Sequence, residues 1–167
     1  GAAPTPAKLK IDKDADFCGP KMLVDESIKV GASGELQNIV MWMYVAPGKK
    51  APVGAAATAA LAKEVKVDNL GCRYEPRVTL IHTSQTLIIG NPDPIGHNSK
   101  GDTFANPAFN ELIPAGGSTK KTFAKTESRP MPSACNIHPW MSGWILIRDN
   151  PYFGVSDAKG ELTIAKI

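Results

Sequence analysis

From residue 27 onward the chain is a succession of short β-branched and aromatic runs, each cut off within a few residues by Gly, Pro, Asn or Asp. Runs this brief suit strands joined by turns far better than helices, which need several turns of unbroken period to bury a face. An all-β Greek-key sandwich is therefore predicted. With 43% of its 167 residues hydrophobic, the chain is long enough to bury the core of one domain.

The predicted strands fall at residues 27–30, 37–45, 64–67, 73–81, 85–90, 118–125, 143–148, 152–155 and 161–167. Residues 37–45 (QNIVMWMYV) are apolar at successive positions, as in a central strand covered on both faces. Residues 73–81 and 85–90 read as a hairpin across a polar turn at 82–84. An Ala-rich stretch inside residues 46–63 reads as an insertion that winds a short helix. Long turn-rich loops are expected at 91–102 and 104–117, and a further one after the run at 131–135. Residues 1–17 read as a surface tail without chemistry, followed by a single domain over 18–167.

Several function classes are excluded. The net charge is only +3, with lysines and arginines scattered among acidic residues, so nucleic-acid binding has no support. No apolar run approaches the roughly 18 residues of a membrane span, so no transmembrane segment is expected. The first seventeen residues lack the apolar core of a signal peptide, which leaves export undecided.

Three cysteines, Cys18, Cys72 and Cys135, leave one thiol without a partner in an oxidising compartment. One arrangement pairs Cys18 with Cys72 and leaves Cys135 protected by a metal; the other is three reduced, buried cysteines in a cytosolic protein. The first is expected here, with the disulfide tying the N-terminal segment onto the sandwich and placing the protein in a periplasm or outside the cell.

The stretch Cys135-Asn136-Ile137-His138-Pro139-Trp140-Met141 brings a thiol, an imidazole and a thioether within seven residues. Soft sulfur beside borderline nitrogen selects copper, and a tight loop between two strands can aim all three at one point. A fourth donor should come from another loop at the same end of the sandwich. His97, 38 residues before Cys135 on the segment 91–102, is one of three histidines in the chain. His82, on a polar turn without sulfur nearby, reads as an exposed structural residue. Zinc fits less well, because a thioether is a poor ligand for it and closed zinc sites usually hold two or more cysteines. A dinuclear copper site would need a second cysteine in the loop. A cysteine nucleophile would leave the methionine unexplained.

These residues resemble a cupredoxin of the plastocyanin and amicyanin group. The short Cys-x2-His-Pro-x-Met loop is most similar to that of amicyanin, and Gly90-Asn91-Pro92-Asp93 followed by Gly96-His97-Asn98 resembles the segment that carries the first histidine ligand. The resemblance covers roughly residues 78–167 and implies a cupredoxin-like fold holding one copper ion, Cu(I) or Cu(II), through His97, Cys135, His138 and Met141. It implies a one-electron carrier, not an enzyme, docking transiently with redox proteins such as a c-type cytochrome or a copper- or quinone-dependent oxidoreductase. It also implies that His138 reaches the surface, bordered by Pro139 and Trp140 as an electron-exit patch. Asn98 is the expected support, its amide tying the His97 loop to the backbone beside Cys135. A copper-storage or delivery protein is the alternative function.

Overall fold

The structure is a computed structural model that describes residues 3–46, 48–59 and 61–164. Two sheets make a β-sandwich, in agreement with the all-β expectation. In chain order the described elements are α1 (Ala15–Cys18), a 3-10 turn (Gly19–Lys21), β1 (Lys29–Val30), β2 (Leu36–Gln37), β3 (Val40–Trp42), α2 (Ala55–Ala59), β4 (Glu64–Asn69), β5 (Tyr74–Glu75), β6 (Val78–His82), β7 (Thr86–Gly90), β8 (His97–Gly101), β9 (Phe109–Ile113), β10 (Ser118–Thr122), β11 (Met131–Ala134), β12 (Ser142–Arg148) and β13 (Phe153–Val155). One sheet runs β10-β7-β4-β5, the other β6-β12-β11-β8-β9.

The strands are parallel where β4 meets β7 and where β6 meets β12, and antiparallel elsewhere. Inward residues of both sheets interleave in one apolar core. Val67, Leu87 and Ile89 come from the first sheet and Ile81, Phe109, Ile113, Met131, Ile145 and Ile147 from the second. Each such side chain, fully buried, stabilises the fold by about 1.5–3 kcal/mol relative to leaving it exposed. Close approach is needed at Gly101 in β8, where a Cβ would collide with the Phe109 ring and the Met131 side chain. The edge strand β10 (STKKT) carries lysines, which discourage further pairing.

Several expectations are corrected. Residues 37–45 are not a central core strand. Gln37 ends β2, paired with β1, and beyond it only Val40–Trp42 is paired, in a two-stranded ribbon with β13; Ile39, Met41 and Tyr44 are exposed. An apolar run is compatible with a buried strand but does not require one, because much of a folded surface is apolar.

The expected hairpin of residues 73–81 and 85–90 is instead a corner between sheets: β6 pairs with β12 while β7 pairs with β4 and β10. Polar side chains pin that corner. Gln85 accepts the His82 backbone N–H through Oε1 at 2.8 Å and donates Nε2–H to the Ala62 carbonyl at 2.7 Å. His82, expected exposed, is 7% exposed, its Nδ1 lying 2.7 Å from Ser84 Oγ. The segments 91–102 and 104–117 are partly strands, β8 and β9, which pair with each other in register. At the C-terminus, residues 161–164 form no strand, and 165–167 lie outside the described residues. The short helix in the Ala-rich stretch is present as α2.

A second, smaller apolar cluster sits at one end of the sandwich. Cys18 and Cys72, joined as a disulfide, and Leu23 form its centre, with Leu9, Ile11, Phe17, Ile95 and Trp140 packed around them. Residues near the N-terminus are drawn in by a bridge between Lys8 and Val24 and by the Leu9 N–H donated to the Leu23 carbonyl at 3.0 Å. Among the described residues, no helix is long and apolar enough to cross a membrane.

Candidate metal centre

His97 is the first residue of β8, and Cys135 follows the last residue of β11. Because these strands pair antiparallel, with Ser133 opposite Gly101 and Ala134 opposite Lys100, the start of one lies beside the end of the other. The loop from Cys135 to Met141 then turns back into β12. Cys135 N–H donates to the Met141 carbonyl at 3.3 Å, and Met141 N–H donates to the His138 carbonyl at 2.9 Å. Two backbone bonds within seven residues hold the loop in one shape.

The structure brings together His97, Cys135 and His138, whose ligand atoms all lie within 4.8 Å of one another. The two Nδ1 atoms are 3.0 Å apart, and His138 Nδ1 is 3.7 Å from Cys135 Sγ. His97 and His138 are 0% exposed and Cys135 2%. Met141 is buried in the same apolar cluster as Cys135.

The outer nitrogens explain why the inner ones converge. His97 Nε2 lies 2.9 Å from Asp93 Oδ2, and His138 Nε2 lies 2.8 Å from Asp14 Oδ2. A carboxylate accepts only, so each of these contacts takes Nε2–H as its donor and leaves Nδ1 of both rings turned toward the Cys135 sulfur. Burial lowers the pKa of His97 below the ordinary histidine value, against the raising effect of its bond to Asp93, which favours the neutral ring. Two imidazole lone pairs and a sulfur, turned inward in a dry pocket, fit a soft or borderline cation.

Asp93 comes from the loop before β8. Its Oδ1 accepts the Gly71 N–H at 2.7 Å and its Oδ2 the Cys72 N–H at 2.9 Å, so one carboxylate joins the His97 ring to the disulfide turn. Asn91 braces that loop, donating Nδ2–H to the carbonyls of Ile95 at 2.8 Å and Ile113 at 2.9 Å. Asn98 does the equivalent across the two loops. Its backbone N–H points at Cys135 Sγ, 3.3 Å away, and its Oδ1 accepts the Asn136 N–H at 2.8 Å. Tyr74 donates its hydroxyl to the Asn98 carbonyl at 2.9 Å, and burial holds that phenol's pKa above its usual value, so it stays a donor.

The expected exposure of His138 is corrected. The N-terminal segment lies over it, and Trp140 turns half inward, its ring 5.1 Å from the His138 ring and its Nε1–H donated to the Cys72 carbonyl at 3.3 Å. Of the expected exit patch, Pro139 alone is exposed. Sequence reasoning missed both carboxylates. Asp93 carried a signal, an acidic residue four positions before a candidate ligand; Asp14, 124 residues from His138, carried none.

No family model matches the chain, and no curated protein does. Among solved structures it is similar to a mutant of amicyanin in its Cu(I) form, with 18% identity over 55% of this chain and 89% of that one and a TM-score of 0.46. It is similar also to a copper-containing nitrite reductase from Thermus scotoductus SA-01, at 24% identity over 62% of this chain and 24% of that one, with a TM-score of 0.46. A purple cupredoxin from Nitrosopumilus maritimus matches at 20% identity over 49% of this chain and 97% of that one, with a TM-score of 0.41.

Proposed function

We propose that this chain binds one copper ion through Nδ1 of His97, Nδ1 of His138, Sγ of Cys135 and the Met141 thioether, and serves as a one-electron carrier. The single observation that carries the reading is the convergence of one buried cysteine sulfur and two histidine nitrogens within 4.8 Å of one another. When bound, the ion supplies a one-electron couple between Cu(I) and Cu(II).

The protein's part is to hold its donors still. Three strands, a backbone-braced loop and two carboxylate-anchored imidazoles leave the donors little room for rearrangement, so little of the protein would have to move when an electron is gained or lost. That rigidity favours electron transfer over a metal store, whose donors must open to release the ion. The Cys18–Cys72 disulfide supports an oxidising compartment, periplasmic or extracellular. The partners of such a carrier are redox proteins that dock briefly.

The test is copper loading followed by visible and electron paramagnetic resonance spectra of the wild type and Cys135→Ser. The wild type should show an intense thiolate-to-copper band that Cys135→Ser loses completely. A colourless wild type with copper bound elsewhere would overturn the reading.

A further inference from the structure

Asp14 stands at the N-cap of α1, where an aspartate ordinarily turns its side chain back onto the helix's first N–H groups. It makes no such bond. Its carboxylate is directed outward onto His138 Nε2, while its backbone adopts the left-handed region (φ 46°, ψ 43°), which few residues other than glycine, asparagine and aspartate enter. A residue in an uncommon backbone state, whose side chain forgoes its local partner for a remote one, is placed for that remote contact.

The placement is held from behind. The Asp14 carbonyl accepts the Cys18 N–H at 2.9 Å; Cys18 is bonded to Cys72; and the Cys72 N–H is held by Asp93, which holds His97. The outer nitrogens of both histidines are thus joined through a single chain of contacts that runs across the disulfide.

We propose that Asp14 is a positioning residue of the metal centre, fixing the His138 ring from the N-terminal segment and using its negative charge to favour Cu(II) over Cu(I). The inference rests on the copper reading given above. A carboxylate that accepts the outer N–H of a ligating imidazole raises the basicity of the inner nitrogen, and a nearby negative charge stabilises the more highly charged ion. The Asp14 side chain is 35% exposed, so solvent screens part of this effect.

The experiment measures the reduction potential of the copper-loaded 167-residue chain for the wild type, Asp14→Asn, Asp14→Glu and Asp12→Asn. Asparagine accepts the left-handed backbone and nearly matches aspartate in shape, so Asp14→Asn removes the charge without unseating the segment. Asp12 is an exposed neighbour that, among the described residues, pairs only with Lys10 at 3.9 Å. Asp14→Asn should weaken the preference for Cu(II) about tenfold, an upward shift of about 59 mV for one electron. Asp14→Glu, which restores the charge on a longer arm, should return part of that shift, and Asp12→Asn should leave the potential where it was. A coloured wild type whose potential is moved no further by Asp14→Asn than by Asp12→Asn overturns this proposal alone. A wild type without the thiolate-to-copper band overturns the copper reading and this proposal with it.

Discussion

The two histidines of the centre are clamped in opposite ways. His97 is held by Asp93, four residues earlier in the loop that leads into β8, 3% exposed and engaged at once with the Gly71 and Cys72 backbone. His138 is held by Asp14, 124 residues away and more than one-third exposed at its side chain, on a segment fastened by a disulfide and a small apolar cluster. The first clamp comes with the loop that presents the ligand. The second exists only after the segment around Asp14 has been brought back against the loop around His138. Local clamps depend on turn chemistry, remote ones on whatever ties the distant segment down.

Removing the tie should have the largest effect. Cys18→Ala with Cys72→Ala opens a loop of sequence separation 54, and on the chain-entropy view it should lower unfolding stability by about 4 kcal/mol. Denaturant unfolding of the metal-free protein measures it. A loss below about 1 kcal/mol would show that the N-terminal segment is held without its disulfide, and the contrast between the clamps would collapse.

A smaller loss is expected from Asp93→Asn. The amide keeps one acceptor oxygen and replaces the other with a donor, so either the Gly71 N–H or the Cys72 and His97 N–H groups together lose their partner in a buried setting. That should cost about 2–3 kcal/mol, read from the same unfolding curves. An unchanged midpoint would mean that the local clamp contributes no more than its neighbours supply.

The least effect belongs to Trp140→Phe. Trp140 packs against both apolar clusters and links the His138 loop to Cys72 through its ring N–H. Phenylalanine keeps most of the packing but loses that bond, for about 0.5–1.5 kcal/mol. Faster amide exchange confined to residues 8–25 would show that the tryptophan helps hold the remote clamp closed, and uniform exchange would assign it to the sandwich.

The same division explains what the sequence made legible. The Cys135–Met141 loop could be read because its donors lie within seven residues and its geometry is set by bonds inside it. His97 could be read because the chain has few histidines and one stands in a turn-rich segment, although that segment pairs as β8 from His97 onward. Asp14 could not be read, since neither charge nor spacing connects it to a residue 124 positions on. Residues 37–45 were misread for a related reason. Their apolar run fits a core strand locally, but the pairing that decides burial is made with β13, near the other end of the chain, and it leaves Ile39, Met41 and Tyr44 at the surface.

The covered centre also has a consequence for the order in which the molecule is put together. His97, Cys135 and His138 are buried, so on the copper reading an ion would reach them only while one of the covering pieces is displaced. During synthesis Asp14 is made first, yet its contact forms only after His138 has been made; contacts so far apart in sequence are slow to close. The bond between Cys18 and Cys72 then fastens that piece in place. A newly made chain therefore offers these three side chains most openly before oxidation of those two thiols, and on the copper reading capture of the ion would compete in time with the closing of the N-terminal segment above them.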